Sequence, residues 1–192
     1  MAAILGAENW SLAVLAAVLL ASAATDLRAG KIYNFITYPA IAIGLIGHTL
    51  TGGLTGYGGS SGLAGALGGL AAGFLPMLVA YMMGGIGGGD AKLMAAVGAL
   101  GGWRFALASM FYGFAVAMVI AVVVMVRRRI VRRTLGRIWR FAFLSMTPAR
   151  GADPAAADSP KIPFGFALCV GAALAILEVL LRGPLTTKLI GI

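Results

Sequence analysis

The sequence predicts an all-α integral membrane protein with about six transmembrane helices and both termini outside. Three observations predict it. Of 192 residues, 60% are hydrophobic and 11% charged, where a soluble domain carries about 25% charged residues. The apolar residues fall in long runs, and a run of about 20 crosses the hydrocarbon layer as a helix. The basic residues collect on one side of those runs when the runs alternate in direction.

Six apolar segments are read, at 10–25, 33–51, 61–83, 91–102, 103–126 and 162–181. The first ends near Ala21-Ser22-Ala23, which resembles a signal-peptide cleavage site. The N-terminal stretch has Glu8 as its one charge, not a positive n-region, so the segment reads as a retained helix. The 51–60 stretch is uncharged and glycine-rich, an external turn. Residues 151–160 read as a flexible linker. Before that linker, Val131, Leu135, Ile138 and Trp139 recur at helical spacing among arginines. They suggest a basic amphipathic helix in the membrane interface, with a solvated loop as the alternative.

With the N-terminus outside, the inner side holds Arg28, Lys31, Lys92, Lys161 and the eight arginines of 127–150. Arg104, Arg182 and Lys188 remain outside, which makes twelve basic residues inside against three outside. The net charge of +9 therefore points to anionic lipid at the inner face and not to nucleic acid. The expected organisation is one membrane-embedded domain over 1–192, with a basic cytoplasmic loop at about 127–160.

There are 29 glycines, and Gly65, Gly69 and Gly73 lie four apart inside an apolar run. Small residues at that spacing let membrane helices approach closely. The single Cys169 and the single His48 cannot assemble a metal site, since zinc takes three or four protein ligands. Both read as packing residues. No metal or other cofactor is expected.

Of the six acids, Asp153 and Asp158 fall in the linker, and Glu8 and Glu178 near outer helix ends. Asp26 and Asp90 stand apart. Each adjoins a membrane segment on the inner side, where an ionisable group is costly and points to function. Asp26 closes the first run and Asp90 opens the fourth. That fourth run has twelve residues, about 18 Å of helix against about 30 Å of hydrocarbon. Its start is therefore expected to be recessed, with irregular glycine backbone in a wet cavity. Two close carboxyl groups do not both ionise easily, so one can take a proton from water while the other polarises a carbonyl. Glycines beside the acid admit an extended substrate backbone. The structural alternative is that Asp26 caps a helix end or pairs with Arg28, and that Asp90 caps helix four.

Three stretches resemble the prepilin peptidases, the type IV leader peptidase family of GxGD membrane aspartyl proteases. "DLRAGKIYN" (26–34) is similar to the family's first-aspartate motif, with Tyr33 where proline often stands. "GGGDAKL" (87–93) matches Gly-x-Gly-Asp with a lysine two residues on. "KIPFGFAL" (161–168) is similar to the family's Pro-aromatic-Gly entry into the last helix. The resemblance implies that Asp26 and Asp90 are the catalytic pair. Gly87 and Gly89 would shape the backbone, and Lys92, Arg28 and Asn34 are supporting candidates. Lys92 would bias the charge state of the pair or face lipid phosphate.

The resemblance further implies a multi-pass inner-membrane protein whose partners are prepilin-like substrates, cut at the cytoplasmic face just before a hydrophobic helix. Larger members carry a Cys-x-x-Cys insert linked to N-methylation. No such cysteines occur here, which resembles the small cleavage-only type of Flp/Tad pilus systems and preflagellin peptidases. A carrier or channel using the two acids as a proton or cation site is the rival from another class. A non-catalytic assembly subunit is a third reading.

Overall fold

The computed structural model describes residues 9–56, 62–129 and 163–189. Five α-helices account for them: α1 Asn9–Ala29, α2 Asn34–Gly52, α3 Gly62–Met82, α4 Gly88–Arg127 and α5 Phe164–Leu189. All five are long and apolar enough to cross a membrane. Their outward faces carry Leu20, Ile46, Leu50, Leu75 and Phe111, all exposed. Water would not tolerate so broad an apolar surface, and lipid would. The chain is an all-α, multi-pass membrane protein.

α1 runs four residues beyond the apolar segment, which places Asp26 in its last turn. Arg28 in that turn suits the negative helix end. The helix stops at Gly30, whose φ of 61° and N–H to the Asp26 carbonyl close a left-handed cap.

α4 has 40 residues but is not one rod. Gly102, at φ 80° and ψ 173°, breaks it into segments 88–101 and 103–127. Such a conformation belongs almost exclusively to glycine. The break falls at the expected boundary between the fourth and fifth segments, so the described residues form six helical stretches. The last turn before Gly102 has carbonyls without helical partners. His48 from α2 donates its Nε2–H to the Leu100 carbonyl at 3.1 Å, and Trp10 packs on the imidazole at 5.3 Å between centroids. His48 is thus a packing and capping residue. Cys169 is buried and free.

Contacts fix the directions. Lys92 meets Asn34 at the start of α2, whereas Leu100 meets His48 about four turns on, so 88–101 runs parallel to α2. α3 runs against it, because Gly69 sits on the Gly98 carbonyl and Gly73 on the Met94 carbonyl. A Cβ at either glycine would collide with that backbone. These are two of the three glycines singled out by spacing, and Gly65 is half-buried. Beyond Gly102, Gly113 lies against Leu168 and Gly171 of α5, and the Tyr112 hydroxyl donates to Glu178 at 2.6 Å.

The chain packs as two compact units, Met1–Val116 with Pro163–Ile192, and Ala117–Ile162. The first contains every contact above. Of the second, residues up to Arg129 are described, and they continue α4 as helix to Arg127. The expected amphipathic helix, most of the arginine loop and the 151–160 linker lie outside the described residues. So do Glu8 and Lys161.

Candidate active site

Both singled-out acids are buried, Asp26 at 7% exposure and Asp90 at 8%, in a protein that turns large apolar side chains outward. Asp90 occupies the first turn of α4. Gly87, just before that helix, donates its N–H to Asp90 Oδ2 at 3.1 Å, and the Asp90 N–H returns to the Gly87 carbonyl at 3.1 Å. An acid at the third helical position reaching back to the residue before the helix is half of a capping box. Asp90 thus caps the helix from its third position, not as the N-cap residue of the structural alternative, and the contact engages one oxygen.

Asp26 does not pair with Arg28, which stands exposed at the end of α1. Its Oδ2 instead accepts the Phe166 N–H at 2.7 Å, from the first turn of α5. A carboxylate at a helix N-terminus meets unpaired N–H groups and the positive end of the dipole. Among the described residues, no protein hydrogen bond reaches Oδ1 of either acid. Each carboxyl has one oxygen fixed by a backbone amide and one uncommitted.

Gly165 joins the two. A Cβ built on it would lie 2.9 Å from Asp90 Oδ1, 3.0 Å from Asp26 Cγ and 2.7 Å from Ile32 Cδ1. Both acids therefore touch one point, which holds Asp90 Oδ1 within about 6 Å of Asp26 Cγ, inside the range where charges couple strongly. Ile32 closes one wall and also backs Gly89, whose Cβ position is 3.1 Å from the Ile32 carbonyl oxygen. The loop after α1 and the glycine loop before α4 thus pack on each other beside the pair. Gly87 is exposed and Gly89 half-buried.

Lys92 and Asn34 do not touch the carboxyls. The Lys92 Nζ donates to Asn34 Oδ1 at 2.9 Å and lies 5.0 Å from the centroid of the Tyr38 ring. They bind the starts of α2 and α4 together. Among the described residues no group of three metal-ligating side chains converges.

Gly165 and Phe166 are not among the expected site residues. Their signal is in view, because Pro163-Phe164-Gly165 is one mark of the resemblance. What it lacks is any local pattern tying it to acids distant in sequence.

Two uncommitted carboxyl oxygens about one glycine, with a glycine loop beside them, can divide acid and base roles in hydrolysis. Comparison with curated proteins gave no match, nor did comparison with solved structures. The model of the type IV leader peptidase family matches residues 13–123, a span that contains both acids and the glycine loop. The chain belongs to the type IV leader peptidase family.

Proposed function

We propose that the protein is an intramembrane aspartyl endopeptidase that removes the short basic leader of prepilin-like substrates, with Asp26 and Asp90 as its catalytic pair. Family membership supports a leader peptidase. The convergence of both acids on Gly165 is the observation that carries the aspartyl mechanism. One ionised carboxyl takes a proton from water as the oxygen attacks the scissile carbonyl carbon. The other, protonated, gives its proton to the carbonyl oxygen. On collapse of the tetrahedral intermediate the now-ionised carboxyl takes back a hydroxyl proton, the C–N bond breaks, and the other carboxyl gives the proton it took from water to the departing amine. Lys92, Arg28 and Asn34 support the site without entering the reaction. The residues form one catalytic domain without a methyltransferase insert, whose basic loop at 127–160 rests on anionic lipid.

Charge supports reaction at the cytoplasmic face. Arg28, Lys31 and Lys92 crowd the end of the helices that holds the acids, and the inner side of a membrane protein is the basic side. Thr55→Cys should then be labelled from outside. Labelling from the cytoplasm alone would reverse the orientation.

The test is cleavage of a prepilin by the purified protein in detergent, read as a mass loss equal to the leader, with a strong chelator present. Asp26→Asn and Asp90→Asn should each lose at least about a thousandfold. The double variant should lose little more, because members of a catalytic unit are not additive. In Asp90→Asn the side-chain amide oxygen can still accept the Gly87 N–H, so a capping role alone would survive. Glu178→Gln, checked for folded elution, should stay active. Well-folded single variants that keep substantial cleavage would sink the mechanism. Activity lost with the chelator and restored by a divalent ion would replace it with metal-assisted hydrolysis.

A further inference from the structure

We propose that Gly165 is a positioning residue of the catalytic pair: its missing side chain leaves the space in which the Asp26 and Asp90 carboxyls meet. The inference rests on the peptidase reading above and adds a third element, the first turn of α5, to the site. Gly165 has no positive φ, so the backbone does not require glycine. Within a helix glycine is less favourable than alanine. Space is the remaining reason for it.

The atoms that fill that space are unusual. Gly69, Gly73, Gly98 and Gly171 lie against the backbone of a neighbouring helix, which is ordinary close packing. Among the described glycines, Gly165 alone would press a Cβ on two acids, at 2.9 Å from Asp90 Oδ1 and 3.0 Å from Asp26 Cγ. Neither acid can swing clear without losing its anchor. Asp26 is held by the amide of Phe166, the very next residue, at 2.7 Å, and Asp90 by the amide of Gly87 at 3.1 Å. A methyl at 165 must therefore move one carboxyl or break one of these bonds. The third neighbour, Ile32 Cδ1 at 2.7 Å, is the tip of a flexible chain and can yield.

Gly165→Ala, Ile32→Val and their combination test this in the prepilin cleavage assay, with kcat and KM measured separately and Asp26→Asn and Asp90→Asn run alongside. Gly165→Ala should lower kcat by about a hundredfold, the cost of displacing a reacting group by about 1 Å. KM should change by less than about twofold, with melting temperature and elution retained, a split that a merely structural residue does not produce. Deleting the Ile32 Cδ1 atom should not restore the loss, measured against Ile32→Val alone. Cleavage by Gly165→Ala within about threefold of the parent, or recovery in the combined variant, overturns the proposal. Should Gly165→Ala fail to fold, the combined variant decides. If neither folds, the position is structural and the proposal falls. Inactive Asp→Asn variants beside an active Gly165→Ala remove this inference alone, whereas active Asp→Asn variants remove the peptidase reading beneath it.

Discussion

From Ala91 to Leu100 every residue but Lys92 is buried, whereas from Trp103 to Val116 burial follows one helical stripe, Ala106, Ser109, Met110 and Gly113, and Phe111 is 72% exposed. Both stretches belong to α4, and the break at Gly102 falls between them. A helix buried on all sides is surrounded by protein, and one with a single buried stripe faces another medium. The inner segment is built of Ala91, Ala95, Ala96, Gly98 and Ala99, small enough for α2 and α3 to close on it. The outer segment meets lipid with Trp103, Leu107, Phe111 and Phe114. The difference teaches where a membrane protein can keep a carboxyl. Asp90 opens the segment that lipid does not reach, and the chain changes character only after that segment has ended.

The widest separation between the two segments should appear in how they tolerate bulk. Gly69 of α3 rests on the Gly98 carbonyl, while its neighbour Gly68 has no atom within 4 Å of its Cβ position. Gly69→Ala must push α3 off the inner segment, at about 3 kcal/mol for overpacking. Gly68→Ala should be neutral or stabilising by about 0.5 kcal/mol through helix propensity. Thermal unfolding in detergent checks both. Equal melting temperatures for the two variants would mean that α3 does not grip the inner segment in this way.

Gly102 comes next. No atom lies within 4 Å of its Cβ position, so Gly102→Ala tests backbone conformation alone. At φ 80° an alanine should cost about 1–3 kcal/mol, read as a lowered melting temperature. A variant more stable than the parent would show that the two segments prefer to continue as one straight helix, and the comparison would lose its dividing point.

Much of this is legible in the sequence. Apolar run length marks the six helical stretches, and Gly101-Gly102 before Trp103-Arg104 marks the break. Asp26 and Asp90 stand out because few acids adjoin apolar runs, and both lie in the pair that converges on Gly165. Less legible is what surrounds them. That 91–100 is buried on every side does not follow from its composition, since lipid and protein select the same alanines and glycines. The Phe166 N–H that fixes Asp26 carries no residue signature, because any residue but proline supplies a backbone amide. Arg28, two residues on in sequence and opposite in charge, looks like the partner of Asp26. Its place on the exposed side of the last turn rules that out, and side-chain direction on a helix is set by the 3.6-residue repeat.

The smallest effect is expected at Lys92, the one residue of the inner segment's 91–100 stretch that is not buried. Its Nζ bonds Asn34 Oδ1 at 2.9 Å and stands over the Tyr38 ring, which ties the start of the inner segment to the start of α2. Lys92 is half-buried and Asn34 exposed, so water competes for both groups and the pair is worth far less than a buried one. Lys92→Met keeps the apolar stem and removes the donor, and Asn34→Ala removes the acceptor. In a double-mutant cycle the coupling should be below about 1 kcal/mol, with cleavage reduced only a few fold, about what a supporting contact contributes. A loss at Lys92→Met as deep as that of Asp90→Asn would give the lysine a part in the reaction itself. It would also mean that the inner segment brings two functional groups to the site and not one.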